Sequence, residues 1–199
     1  YTWDYTINPW GRDKEEEYKI NTLRERHYGG TLSWLAADGT DEEQTDGIVA
    51  TEAMEQLDKF SKSGQNFFLA VGMYRPHVPF VAPKKYYDMY DRDKMQILYN
   101  GSTEEYLSTL PEPAAKSIRW GNRNQGLLNL KSNNDLAKEI KEAYFATTTF
   151  MDAQIGRILK KLKQTGLDKN TVVVFTSDHG YHLSEHGHWQ KQTLFENST

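Results

Sequence analysis

The sequence predicts an α/β domain. Two stretches carry apolar residues at steps of three and four, as amphipathic helices do, and each is followed by a short run that is apolar throughout, as a buried strand is. Polar segments rich in turn residues separate these units. The order helix, strand, loop, helix, strand is the order of an α/β fold.

Residues 1–45 are polar and aromatic, with the charge run Arg12-Asp13-Lys14-Glu15-Glu16-Glu17 and the pair Gly29-Gly30. They show no sustained period, so they read as a loop-rich segment with one short helix. The pattern changes at Asp46. Ala50, Ala53, Met54, Leu57 and Phe60 line one face of a helix of roughly four to five turns, which Ser63-Gly64 ends. Phe67-Phe68-Leu69-Ala70-Val71, bounded by Gly64 and Gly72, is too short for a helix and reads as a buried strand. Residues 73–132 hold five of the six prolines and read as a long Pro/Tyr-rich loop region, the kind of segment that carries function. A second helix follows: Leu136, Ile140, Tyr144, Thr147, Met151, Ile155, Leu159 and Leu162 share a face, Asp135 can cap the start, and Gly166 can cap the end. Thr171-Val172-Val173-Val174-Phe175-Thr176 then reads as a central parallel strand. Two units result, a loop-rich segment at 1–45 and part of an α/β domain at 46–199.

Composition removes several classes of protein. Hydrophobic residues at 37% and aromatics at 13% exclude a disordered chain. The absence of cysteine excludes a disulfide scaffold, a Cys-ligated zinc and a cysteine nucleophile within these 199 residues. No uninterrupted run of about 18 apolar residues is present, so no membrane span is expected, and no signal peptide opens the chain. A net charge of −4 with no Lys/Arg block argues against nucleic-acid partners. The chain starts without Met and stops just after a motif-dense stretch, which reads as an excerpt of a longer one.

Chemistry concentrates in two places. Four of the six histidines lie between His179 and His188, directly after the second predicted strand and beside Asp178. Ligands of open α/β sheets bind outside the carboxyl ends of strands, and Gly180 permits a turn that would aim Asp178 and His179 into such a crevice. A carboxylate offers a hard oxygen for Ca²⁺ or Mg²⁺, and an imidazole adds a nitrogen donor. The competing interpretation is a solvated loop whose polar groups cap the next element. The second constellation is Tyr74-Arg75-Pro76-His77-Val78-Pro79-Phe80, where two prolines stiffen the loop around His77 and lower the entropy lost on presenting it. Alone, it fits a buried, satisfied histidine equally well.

Taken together and in order, FFLAVGMYRPHVPF (67–80), EAYFATTTFMDAQIGRILKKL (142–162) and TVVVFTSDHGYHLSEHGHWQK (171–191) resemble the sulfatase family, in its iduronate-2-sulfatase-like branch. The likeness runs from about Asp46 to the end, with residues 1–45 resembling the family only loosely.

That resemblance implies an alkaline-phosphatase-like sandwich with a mostly parallel central sheet, here a partial domain. It also implies hydrolysis of a sulfated carbohydrate by a formylglycine nucleophile, assisted by a divalent cation, with calcium the expected ion. Asp178 and His179 fall on metal-ligand positions, His77 on the loop histidine that reaches the sulfate ester, and Lys191 on the lysine that contacts a sulfate oxygen. His182, His186 and His188 match no family role and are expected to support the site or rim the pocket. The Cys or Ser motif that yields formylglycine and the early pair of acidic ligands are missing, and both are expected upstream of Tyr1. The isolated chain is therefore expected to be inactive. Periplasmic, secreted or lysosomal localisation is expected from the family. A phosphodiesterase or phosphonate monoester hydrolase of the same superfamily is the first alternative, and a catalytically silent binding module the second. If both predicted strands run parallel in one sheet, His77 and Lys191 should converge on one sulfate.

Overall fold

The computed structural model describes residues 2–98, 103–124, 133–191, 193 and 198. Its longest element is helix α6, Asn134–Gln164, and its second longest is α2, Thr45–Ser63. Both lie where apolar periodicity places them. Gly64 and Gly166 follow their ends at φ values of 66° and 72°, a left-handed conformation that costs glycine little. The cap of α6 is Asn133, whose side chain accepts from the Leu136 N–H at 3.0 Å, and Asp135 sits inside the first turn instead.

The two helices pack on each other, and α6 also crosses a three-stranded sheet. The sheet comprises β1 (Asn21–Thr22), β2 (Ser33–Ala37) and β3 (Phe80–Pro83), with β1 antiparallel and β3 parallel to β2. Register pairs Trp34 with Phe80 and Leu35 with Val81. Alternation then sends Trp34, Phe80 and Ala82 toward α6, and Val81 with Ala37 toward Ile20 on the other face. In the core beside the sheet α6 buries Ala137, Ile140, Ala143, Ala146 and Phe150; of the stripe the sequence suggests, Ile140, Thr147 and Leu162 are buried, and the contact is centred on the alanines beside it. Four of these five side chains are small or compact enough for the helix to approach the sheet closely, while Tyr144 and Met151 flank the contact and Leu159 is exposed.

Three expectations need correction. Residues 1–45 are not merely loop: besides α1 (Arg12–Glu15) they supply β1 and the buried strand β2. The stretch 73–132 is not one loop either, since it contains β3, α3 (Lys84–Tyr87), α4 (Thr103–Ser108) and α5 (Glu112–Asn124); its residues 99–102 and 125–132 lie outside the described ones. Phe67–Val71 and Thr171–Thr176 are not ladder strands among the described residues, and Phe68, Val172 and Val174 are 80%, 89% and 81% exposed. A strand is completed by its neighbours, and composition alone cannot supply them. The parallel pair that does form, β2 with β3, uses other segments.

Candidate active site

The histidine-rich window folds as a tight hairpin. Strand β4 (His182–Leu183) pairs antiparallel with β5 (Trp189–Gln190), with His182 opposite Gln190. Between and beside them, Ser184, His186, Gly187 and Gln190 have φ values of 96°, 50°, 73° and 71°. Such conformations in non-glycine residues each cost about 1–3 kcal/mol and persist only where the surroundings hold them. Here the Ser184 N–H donates to the His188 carbonyl and its hydroxyl accepts from the Leu98 N–H, both at 2.8 Å, while the Glu185 carboxylate accepts from the Leu183 N–H at 2.7 Å.

This hairpin returns the chain so that Lys191 meets His179. The Lys191 ammonium donates to His179 Nε2 at 2.8 Å. On the other side of the ring, Nδ1 lies 2.7 Å from the Gly180 carbonyl oxygen, which can only accept. The proton of the neutral imidazole is therefore on Nδ1, and the lone pair of Nε2 is directed at Lys191. Asp178 stands alongside: its Oδ1 accepts from the His179 N–H at 3.1 Å, its Oδ2 is 3.6 Å from His179 Nε2, and its side chain is 87% exposed.

These two residues fit a divalent cation as part of a coordination shell. An exposed carboxylate supplies hard oxygen, and an imidazole whose Nδ1–H is tied to a carbonyl is oriented as metal-ligating histidines are, although a cation at Nε2 would have to displace the Lys191 ammonium. Among the described residues no group of three His, Cys, Asp or Glu side chains is arranged to hold an ion. The pair supplies at most two of the six to eight ligands typical of calcium.

His77 occupies the second loop, between Arg75-Pro76 and Val78-Pro79, both cis peptide bonds. Its N–H donates to the Tyr74 carbonyl at 2.8 Å and its Nδ1 donates to the Val78 carbonyl at 2.7 Å, so that an exposed ring leaves Nε2 for an external partner. The two loops meet through their aromatic residues. Phe80 packs edge-on against Tyr181 with centroids 6.0 Å apart, and Tyr144 of α6 stacks on Tyr181 at 5.2 Å. No hydrogen bond or ion pair joins His77 to Asp178, His179 or Lys191 among the described residues. Lys191 and His179 are thus brought together directly, and His77 belongs to the neighbouring loop.

The other histidines of the window pack in and against the hairpin. His182 and His188 are buried with centroids 5.5 Å apart, and His186 stacks on Tyr106 of α4 at 4.4 Å. Burial pushes the His182 pKa down; the nearby Glu185 opposes this and His186 adds to it. Sequence reasoning missed a buried network beneath His77. Asp13 pairs with Arg75 at 2.5 Å, their side chains 3% and 5% exposed, and Asp46 accepts from the Tyr74 and Arg75 N–H groups at 2.9 Å each. Nothing in the run Arg12–Glu17 marks Asp13 as its buried member, because the partner is 62 residues away.

Fold and paired loops define a mixed α/β domain with its polar chemistry gathered in the loops. The sulfatase family model matches residues 2–199, and the chain belongs to the sulfatase family, N-terminal segment included. Iduronate 2-sulfatase of Mus musculus is 33% identical over 153 residues, covering 74% of this chain and 28% of that protein. A sulfatase of Formosa agariphila is 34% identical over 185 residues, covering 88% of this chain and 34% of its own length. Among solved structures, the phosphonate monoester hydrolase SpPMH from Silicibacter pomeroyi superposes with a TM-score of 0.68 at 24% identity, covering 80% of this chain and 32% of its own, a likeness of fold. The chain thus spans about a third of the length of these relatives.

Proposed function

We propose that the intact protein hydrolyses sulfate esters of carbohydrates, as an iduronate-2-sulfatase-like enzyme. The carrying observation is the Asp178, His179 and Lys191 grouping, in which a carboxylate and an imidazole of defined tautomer stand next to an ammonium. A divalent cation, with calcium favoured by the oxygen donor, would sit at Asp178 and His179 and would polarise sulfate oxygens as a Lewis acid.

The chain's own groups account for the rest. Sulfate monoester cleavage develops negative charge on the bridging oxygen, so groups that favour the transition state must meet that charge. Lys191 supplies a compact ammonium with three donors; the one that meets His179 Nε2 would be released when a cation takes that lone pair, leaving all three for sulfate oxygens. His77 Nε2 carries the proton for the leaving-group oxygen when the ring is protonated, with Nδ1–H anchored on Val78. The formylglycine expected of the family has no precursor here, since the 199 residues contain no cysteine and no serine in the required Pro-containing setting.

The test is turnover of an aryl sulfate by the intact protein and by its His77→Ala and Lys191→Ala variants. Loss of one transition-state contact should lower the rate about 10²–10³-fold. Wild-type rates in both variants would reject these assignments.

A further inference from the structure

We propose that Arg75 is a positioning residue for His77, acting through a clamp that joins it to Asp13 and Asp46. This inference rests on the sulfate-ester role of His77, and its test separates the two.

Two carboxylates on one side of the loop fix its start. Both oxygens of Asp46, in the first turn of α2, accept from consecutive backbone N–H groups, those of Tyr74 and Arg75, at 2.9 Å. Asp13 is itself held, because its Oδ1 accepts from the Thr45 N–H at 2.9 Å and from the Thr45 hydroxyl at 2.6 Å. Its Oδ2 is left for the Arg75 guanidinium at 2.5 Å.

The buried guanidinium turns inward and uses its other donors on the loop. Nε donates to the Val81 carbonyl at 3.0 Å and Nη1 to the His77 carbonyl at 3.4 Å. Those acceptors flank Val78-Pro79-Phe80, so the fork closes the loop on the far side of His77 while Asp46 holds the near side. His77 is then fixed at three atoms: its N–H by Tyr74, its carbonyl by Arg75, and its ring Nδ1 by Val78. Among the described residues nothing engages Nε2, which remains for a ligand. A guanidinium can span Asp13, His77 and Val81 because its donors form a rigid planar fork; an ammonium of the same charge cannot reach all three in that plane. A residue needed only to neutralise Asp13 would not require that fork.

Arg75→Lys therefore keeps the charge and removes the clamp. In intact protein labelled with ¹⁵N-histidine, wild-type His77 should show one Nδ1–H tautomer. Arg75→Lys should broaden that signal or mix the tautomers. With an aryl sulfate, the variant should lose about tenfold to a hundredfold in kcat, the scale of a misplacement near 1 Å, with KM within about twofold. Added to His77→Ala, Arg75→Lys should then cost almost nothing more. An unchanged His77 signal, or an equal loss of rate in the His77→Ala background, would overturn the proposal and leave Arg75 as a folding staple. Should Arg75→Lys fail to fold, Asp13→Asn retains the acceptor toward Thr45 and weakens only the anchor of the fork; it should shift the His77 signal in the same direction, and no shift there overturns the proposal too. If the wild type turns over no sulfate ester while the His77 signal still responds to Arg75→Lys, the positioning stands and the sulfatase reading fails.

Discussion

Replacing Asp41 with alanine removes a carboxylate shared by three parts of the fold. Its Oδ2 accepts from the Tyr86 hydroxyl at 2.6 Å and from the Gln154 amide at 3.1 Å, and its Oδ1 pairs with the Lys85 ammonium at 2.7 Å. Lys85 is largely exposed and would rehydrate at little cost. Gln154 keeps a second acceptor, the Phe150 carbonyl at 3.3 Å. The Tyr86 hydroxyl is buried and loses its acceptor, which costs about 1–3 kcal/mol, and the bond from Gln154 to a charged acceptor is worth about 1.5–3 kcal/mol. The sum is about 2.5–6 kcal/mol, or a fall in Tm of about 5–24 °C for a unit of this size. Acid should narrow the difference. Burial raises the Asp41 pKa, but hydrogen bonds from Lys85, Tyr86 and Gln154 outweigh it and leave the group below its ordinary value. The carboxylate's contribution is then fully present above its unfolded pKa near 4 and is lost as pH falls through the lower folded value. Thermal melts followed by circular dichroism at pH 7 and pH 3 test both parts. Equal Tm values at pH 7, or a gap that widens at pH 3, would show that Asp41 does not tie these parts together as a carboxylate.

His182 should make the protein acid-sensitive in a higher range. Its folded pKa lies below the unfolded value near 6.5, so the unfolded chain binds the extra proton first and stability should drop as pH falls from there; His182→Gln should flatten Tm between pH 7 and pH 5, and an unchanged slope would contradict this. Asp178→Ala should lower the bound divalent cation measured by atomic emission, together with turnover, and full metal content with normal turnover would remove Asp178 from the site. Lys191→Met should tighten cation binding in calorimetry while it lowers turnover, because the ammonium and a cation require the same Nε2 lone pair of His179; weaker cation binding would contradict the geometry.

The two long helices and their glycine caps were legible because periodicity and cap chemistry are local properties of the chain. Strand identity was not. Val172-Val173-Val174 satisfies every local criterion for a buried strand, yet it makes no ladder among the described residues, whereas Ser33–Ala37, unremarked in the sequence, pairs on both sides. Pairing is a long-range property, and a single sequence carries no record of which segments meet. The same limit governed the site. Asp178, His179 and Lys191 could be named from a motif confined to 14 consecutive positions, whereas the hairpin that joins the last two shows only in the structure. The clamp of Asp13, Asp46 and Arg75 draws on three distant segments, and the charge run around Asp13 reads as a solvated face until its partner is known.

If this site serves a sulfate ester, the ester it turns over and its need for a cation should both show it. The most direct measurement compares turnover of an aryl sulfate and of an aryl phosphonate monoester by the intact protein, with and without a chelator and with Lys191→Ala. Turnover of the sulfate is expected, abolished by the chelator and lowered about 10²–10³-fold by Lys191→Ala. Turnover of the phosphonate with none of the sulfate, or sulfate turnover indifferent to both the chelator and Lys191→Ala, would contradict a sulfate-ester role for this site.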